Sequence, residues 1–403
     1  MAEYEYLRVW LRCCTIFGIY VSSRSEHALR EASQRQPTQR RAVWLSEPLR
    51  ITFVLERMYV ALLALIACTL YVHGLYARKI EDGLALTWLV ATLVYTTQLL
   101  THLAIFMEAL WKRVENETFL QLLAEIEVSL QLRLSCDTRQ HALRQSLRRW
   151  LLGLVTLSLV GFVIFTSVSV LLNDIGYLWH AAFSLLTLRM RILQLLLYAC
   201  ILRHYMECLC FKLRQLVAYR TAPERRVLDV NYEKLESLTF LLAFKENYAL
   251  IFKAVGLFNN FAGWSLFGII FGYMLDFTCH VYWSLLGLDG YGSRYTFVVG
   301  LPAVLPFSVI VWQLCFVCDQ CKELGDNISH LVSRLVTVTS KPALKRYCAV
   351  VHQFSTQLQL QRIEITAQHV FVLDLRLIMS ICTAIATNLV ILIQFFKTEH
   401  AYD

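Results

Sequence analysis

The chain has 403 residues, of which 57% are hydrophobic and only 17% charged. So few charges cannot solvate so much apolar surface in a soluble globule, which points to an integral membrane protein. The net charge of +8 does not indicate a nucleic-acid binder, because the basic residues are spread over four segments and do not gather with interleaved aromatics.

In chain order, apolar stretches of about 20 residues predict membrane helices. Seven are found, near residues 54 to 76, 84 to 108, 150 to 172, 176 to 203, 254 to 276, 294 to 318 and 370 to 396. The predicted fold class is an all-α membrane protein with seven transmembrane helices. Before the first span, Glu3, Glu5, Arg8 and Arg12 interrupt what would be the apolar core of a cleavable signal peptide. The first span itself is expected to direct insertion.

Basic residues then set the orientation. Of the 38 Lys and Arg, 29 lie in the N-terminal segment and in the loops after the second, fourth and sixth spans. The other connections and the C-terminal tail hold only Arg78, Lys79 and Lys397. The positive-inside bias therefore places the N-terminus in the cytoplasm and the C-terminus outside, the reverse of a G-protein-coupled receptor. Residues 1–53 form a cytoplasmic segment, 54–318 the first six spans with their loops, 319–369 cytoplasmic helices, 370–396 the seventh span and 397–403 an extracellular tail.

External connections are short, at 77 to 83, 173 to 175 and 277 to 293, whereas the internal ones at 109 to 149, 204 to 253 and 319 to 369 are long. The internal loops show helical spacing, as in Phe119, Leu122, Leu123, Ile126 and Leu130, and again from Leu344 to Ile365. The membrane helices are thus expected to continue into the cytoplasm and pack there as a bundle. Breakers fall at Pro223, Gly287 to Gly292, Gly325 and Pro342, and Gln34 to Arg41 is a short polar stretch. The sequons at Asn116 and Asn327 lie in loops assigned to the cytoplasm and read as accidental.

No constellation for catalysis or metal binding stands out. Cys315, Cys318 and Cys321 have a ligand-like spacing but no fourth Cys or nearby His, and thiols at that spacing drift around a helix. Of 13 cysteines only Cys279 falls in a predicted external loop, so no disulfide framework is expected. No cofactor or metal is expected, and no enzymatic activity. Two buried charges, Arg189 and Arg191, lie near the middle of the fourth span, where each costs about 2.5–3.5 kcal/mol to insert. They need partners, and Asp374 and Glu108 are the candidates. The seventh span carries a polar stripe at helical spacing, Ser380, Thr383, Thr387, Ile391 and Gln394. Such a stripe either guides water and ions or joins helices by side-chain hydrogen bonds. An ion path along one helix requires an oligomer with that helix at its axis.

The segment Thr387-Asn388-Leu389-Val390-Ile391-Leu392-Ile393-Gln394-Phe395 resembles the signature of the insect gustatory receptor family, Thr-Tyr, five hydrophobic residues and Gln-Phe. Thr366-Ala367, Phe371 and Leu373-Asp374 match at the right offsets. The chain departs from the pattern at Asn388, which replaces the Tyr, and at His369, where the family often has Gly. The resemblance implies a ligand-gated, non-selective cation channel in the plasma membrane of sensory neurons, formed as a homotetramer or a heteromer with related receptors. It implies that Ser380, Thr383, Thr387, Ile391, Gln394 and Phe395 line the pore, with monovalent and divalent cations passing and the 319–369 helices anchoring subunits together. It also implies a small-molecule tastant in the outer half of the second to sixth helices. Aromatic and hydrogen-bonding residues at that level are Trp88, Tyr95, Phe165, Trp179, His180, Phe183, Phe271, Tyr273 and Tyr295. Leu389 after Asn388, where the sugar-sensing branch has an acidic residue, favours a bitter or aversive compound. A related odorant receptor, a sugar or internal-nutrient receptor, and a membrane enzyme or transporter are the alternatives.

The charge asymmetry gives a direct test of orientation. A tag on the N-terminus should be protected in intact cells and a tag after Asp403 accessible; antibody labelling of the N-terminal tag without permeabilisation would reverse the assignment.

Overall fold

The computed structural model describes residues 5–21, 43–79, 85–136, 140–171, 175–221, 237–288, 295–338 and 345–400. Among these, ten helices and one two-stranded sheet follow in the order α1 (Glu5–Ile16), α2 (Val43–Lys79), α3 (Ala85–Trp111), α4 (Arg113–Leu134), α5 (Gln140–Leu171), α6 (Ile175–Thr221), α7 (Leu238–Leu288), α8 (Tyr295–Val338), α9 (Lys345–Leu360), β1 (Thr366–Ala367), β2 (Phe371–Val372) and α10 (Leu375–His400). The polar stretch at Gln34 to Arg41 and the breakers at Pro223 and Pro342 lie outside the described residues.

Six helices contain a stretch long and apolar enough to cross a membrane: α2, α3, α6, α7, α8 and α10. The predicted third span is α5, a 32-residue helix whose described apolar stretch is Leu152–Ser167. With it, each of the seven predicted spans falls on a helix. Exposed apolar side chains such as Leu62, Leu65, Leu93, Leu100, Val160 and Val163 suit contact with lipid rather than water.

The long helices extend well beyond a bilayer. α6, α7 and α8 have 47, 51 and 44 residues, against about 20 for a span. They continue at the end expected to be cytoplasmic and form a core there with α4 and α9. On α4, Phe119, Leu122, Leu123, Ile126 and Leu130 are all buried, the face expected from their spacing. α9 buries Tyr347, Val351, Phe354 and Leu358. Water surrounds this end, so each fully buried Phe, Ile or Leu contributes about 1.5–3 kcal/mol. Asn116, the first residue of one sequon, is buried in α4.

Two boundaries differ from the sequence reading. α7 runs to Leu288, so Cys279, expected in an external loop, lies inside the helix and is buried. The seventh span, expected to be helical from residue 370, begins at Leu375, because the chain first forms a hairpin. β1 and β2 pair antiparallel, Thr366 with Val372 and Ala367 with Phe371. The Val370 N–H donates to the Ala367 carbonyl at 3.0 Å across Gln368 (φ 48°) and His369 (φ 57°). Two successive left-handed residues define the turn that joins strands with their natural twist, a position that favours Gly. This chain places His there and carries the strain.

Packing centres on α7, which touches α3, α4, α6, α8, α9, β1 and α10. α10 rests on α7 and α8 along one side only.

Candidate functional site

Three groups of residues are candidates for function: a buried ion-pair network, a polar and aromatic set in the half of the bundle expected to be outer, and the exposed face of α10. Each follows from where the long helices cross.

Glu108 of α3 and Arg191 of α6 form a salt bridge of 2.9 Å with both side chains almost fully buried. Arg191 is held from all sides. Its Nε donates to Ser265 Oγ at 3.1 Å, Nη1 to Gln194 Oε1 at 2.9 Å, and Nη2 also to the Phe261 carbonyl at 3.3 Å. Gln194 donates onward to the Tyr198 hydroxyl at 3.1 Å. The second oxygen of Glu108 accepts the backbone N–H groups of Trp264 at 2.8 Å and Ser265 at 3.0 Å. A carboxylate and a guanidinium thus insert into one turn of α7, using its N–H and C=O groups as ligands.

Of the two candidate partners for the buried arginines, Glu108 is therefore the one used. Asp374 is engaged elsewhere: its Oδ2 accepts from Lys322 Nζ at 3.3 Å, and its Oδ1 caps α10 by accepting the Leu377 N–H at 3.1 Å. Arg189 donates to the Ser158 carbonyl of α5 at 3.0 Å and is attracted by Asp276 of α7. No periodicity singles out Asp276; a lone carboxylate within an apolar helix was the available signal.

In the outer bundle, Asp276 also accepts from Gln98 Nε2 at 3.4 Å and lies 3.5 Å from His280 Nε2. His102 is fully buried, with Nδ1 3.4 Å from Ser184 Oγ and its ring 4.5 Å from Phe106 and 5.0 Å from Phe183. Tyr95 is buried beside Val90, Val94 and Cys279, and Phe165 is buried on α5. Trp88 is half-buried on α3, with its indole N–H enclosed and unpaired among the described residues. Tyr273 faces α8, donating to Ser308 Oγ at 2.9 Å with Phe307 at 5.5 Å. Phe271 points outward and stacks on Phe267 at 6.2 Å, apart from this set. Trp179, His180 and Tyr295 lie on α6 and α8, and their side chains are outside the described residues. The expectation from aromatic content missed Gln98, His102, Asp276 and His280, the polar members.

On α10, Ser380, Thr383, Thr387, Ile391 and Gln394 all lie on the exposed face, and Phe395 is exposed beside them. Ile381 and Ile385 are buried on the other side, and Leu392 packs towards Tyr95 and Cys279. The three hydroxyls donate to carbonyls four residues earlier, those of Arg376, Met379 and Thr383, at 3.1, 2.9 and 3.0 Å. Their oxygen lone pairs are left facing outward.

Cys315, Cys318 and Cys321 are buried on α8, with Cys321 Sγ 3.9 Å from the Ala199 carbonyl of α6. They fill the α6–α8 seam as small apolar groups.

A family model for the 7tm chemosensory receptor matches residues 7–399. The chain belongs to the 7tm chemosensory receptor family. Among curated relatives, the receptor is 26% identical over 352 residues to "Putative gustatory receptor 39b" of Drosophila melanogaster, covering 84% of its own length and 91% of that protein. Gustatory receptor 23a of the same organism is 34% identical over 145 residues, covering 36% of the receptor and 38% of that protein. Among solved structures, the olfactory receptor OR5 of Machilis hrabei in complex with eugenol superposes with a TM-score of 0.66 at 14% identity, over 98% of the receptor and 100% of OR5. The fold is therefore that of the insect chemoreceptors, and the receptor is a multi-pass membrane protein.

Removing one partner of the buried pair should leave an uncompensated charge. Arg191→Met is expected to destabilise the receptor by about 3–5 kcal/mol, seen as loss of the monodisperse species on heating in detergent, while Glu108→Leu with Arg191→Met should recover part of the loss. An unchanged melting profile for Arg191→Met alone would show that the pair does not tie the bundle together.

Proposed function

We propose that the receptor is a ligand-gated, non-selective cation channel that detects a bitter or otherwise aversive small molecule at the surface of sensory neurons. Four identical or related chains surround a pore lined by α10. The observation that carries this reading is the stripe on α10: Ser380, Thr383, Thr387 and Gln394 share one exposed face, while Ile381 and Ile385 are buried on the side that rests on α7 and α8. In a single chain that stripe would face hydrocarbon. Around an axis of assembly it faces water.

The chemistry of the stripe supports cations. Ser380, Thr383 and Thr387 spend their protons on the helix backbone, so they offer acceptor oxygens to the lumen. Oxygen lone pairs replace part of a cation's hydration shell and repel anions. Gln394, at the outer end, supplies an amide that either accepts from a neighbouring copy or coordinates ions.

The ligand is proposed to enter the outer bundle, where Trp88, Tyr95, Phe165, Phe183 and Tyr273 bring aromatic surface near Gln98, His102, Asp276 and His280; Trp179, His180 and Tyr295 are kept as candidates from the sequence alone. A ring bearing one or two hydrogen-bonding groups suits that mixture. Phe271, which points outward, contributes to the helix surface and not to this set. The helices of 319–369 and the inner parts of α4, α6, α7 and α8 form the cytoplasmic anchor of the tetramer. The named relatives are gustatory receptors and support the gustatory over the odorant reading.

Cysteine scanning separates the faces of α10. Thr383→Cys and Thr387→Cys channels should be blocked by water-soluble thiol reagents, and Leu392→Cys, on the packed face, should not. Gln394→Ala should alter relative permeability or conductance, since one substitution changes four positions around the axis. Reagent access with no helical period, together with unchanged permeation in Gln394→Ala, would remove α10 from the pore.

A further inference from the structure

The segment Asn259 to Gly268 of α7 is gripped on two opposite faces. With about 100° of rotation per residue, Asn259, Gly263 and Phe267 share one face, and Phe261, Trp264, Ser265 and Gly268 centre on the other. The second face receives the bundle: Glu108 and Arg191 bind the backbone of residues 261, 264 and 265. A β-carbon at Gly268 would stand 2.8 Å from the Thr101 hydroxyl of α3, so the two helices approach closely there.

The first face receives the hairpin that leads into α10. Asn259 Nδ2 donates to the Glu364 carbonyl at 2.9 Å, and its Oδ1 accepts the Thr366 N–H at 3.0 Å. One side-chain amide thus pairs with the backbone of β1 as a neighbouring strand would. A β-carbon at Gly263 would lie 3.1 Å from the Gln368 nitrogen, and Phe371 stacks on Phe267 at 6.0 Å. The Leu373 N–H closes the hairpin on the Ile365 carbonyl at 2.9 Å, and the next residue, Asp374, caps α10. No loose residue separates the Asn259 clamp from the helix cap.

We propose that Asn259 is a positioning residue for gating: it locks the hairpin to α7 directly across from the Glu108–Arg191 grip, so that displacement of α3 or α6 relative to α7 moves the first turn of α10. This rests on the reading of α10 as the pore helix. A rigid α7 carries the displacement, because both contacts are to its backbone or to side chains one turn away. In this proposal the arrangement held by Asn259 is the closed one, and a loosened hairpin relaxes the restraint on α10.

Because the ligand is unidentified, the test uses spontaneous openings of the full-length receptor reconstituted in planar bilayers of phosphatidylcholine, with sodium and potassium as the permeant probes. Asn259→Ala, which loses both hydrogen bonds, should raise the spontaneous open probability about three- to tenfold, with single-channel conductance and sodium-to-potassium permeability unchanged. Asn259→Asp keeps the acceptor for Thr366 and loses the donor to Glu364, and should fall between. A merely structural clamp would change the amount of folded receptor and leave the gating of each channel alone. Coupling adds a further requirement: the effects of Asn259→Ala and Glu108→Gln on open probability should be non-additive in a double-mutant cycle. An open probability within about twofold of the parent, or strictly additive effects, would overturn the proposal. The Thr383→Cys background separates the two readings. Parent channels that are silent or insensitive to thiol reagents at that position sink the pore assignment, and the coupling with it, whereas normal block with unaltered gating in Asn259→Ala sinks the coupling alone.

Discussion

A guanidinium buried inside a membrane bundle must find every partner within the protein, and the answer Arg191 finds organises this chain. At about 2.5–3.5 kcal/mol, the insertion cost of an arginine at the centre of a span is comparable to one or two hydrogen bonds to a charged group, each worth about 1.5–3 kcal/mol. Arg191 makes hydrogen bonds to Ser265, Gln194, the Phe261 carbonyl and Glu108. The consequence is geometric. Three helices, α3, α6 and α7, meet at one level and cannot slide without breaking contacts to α7's own backbone. Since α7 also touches α4, α8, α9, β1 and α10, the position of most other elements follows from that level.

Along α6, α7 and α8 the source of stability changes. At the end beyond the bilayer an aromatic core forms: Phe354 lies 5.9 Å from both Phe244 and Tyr248. Water around that end supplies a hydrophobic driving force. Inside the bilayer lipid is as apolar as leucine, so association depends on close packing and on polar contacts. Gly263 and Gly268 provide the first and the Glu108 network the second. On the proposed function the tight inner bundle is a platform, and the outer halves of the helices, joined by polar contacts such as Gln98 to Asp276, are the part that responds to a ligand.

How much of this was legible depended on length scale. Spans and cytoplasmic continuations were readable because apolar runs and the Phe119 to Leu130 spacing extend over several turns. The stripe from Ser380 to Gln394 was readable for the same reason, and it lies on one exposed face. What escaped were contacts between distant residues. Gln98 and Asp276 are 178 positions apart, and nothing local to either marks the other. Asp374 has a local role, capping α10, which its place before Leu375 fitted, but its ion pair with Lys322 is again tertiary. The hairpin was hidden because its strands have two residues each and its turn lacks the Gly that signals one. The apolar run from 370 is continuous with the span, so the sequence puts the helix start five residues before Leu375.

Asp374 also bears on the charge that stands at the entrance of the proposed pore. Arg376 is exposed on the first turn of α10, where four copies around an axis would oppose cations, and Asp374 would relieve them if it were free. It is not: one oxygen is held by Lys322 and the other by the Leu377 N–H. Helix polarity adds to the effect, since the N-terminal end of α10 is the positive end of its dipole and the C-terminal end, near Gln394, the negative one. In the proposed pore the lumen is therefore graded, favourable to cations at the outer end and least favourable at Arg376. A pore with that gradient conducts only where its inner mouth is wide enough for water to screen the guanidinium groups, since screening in water reduces the interaction of like charges far below its value in a dry constriction. In such a pore the narrowest part of the path belongs at the outer end, among Thr387, Ile391 and Gln394, where the oxygens and the helix dipole act in the same direction to favour cations.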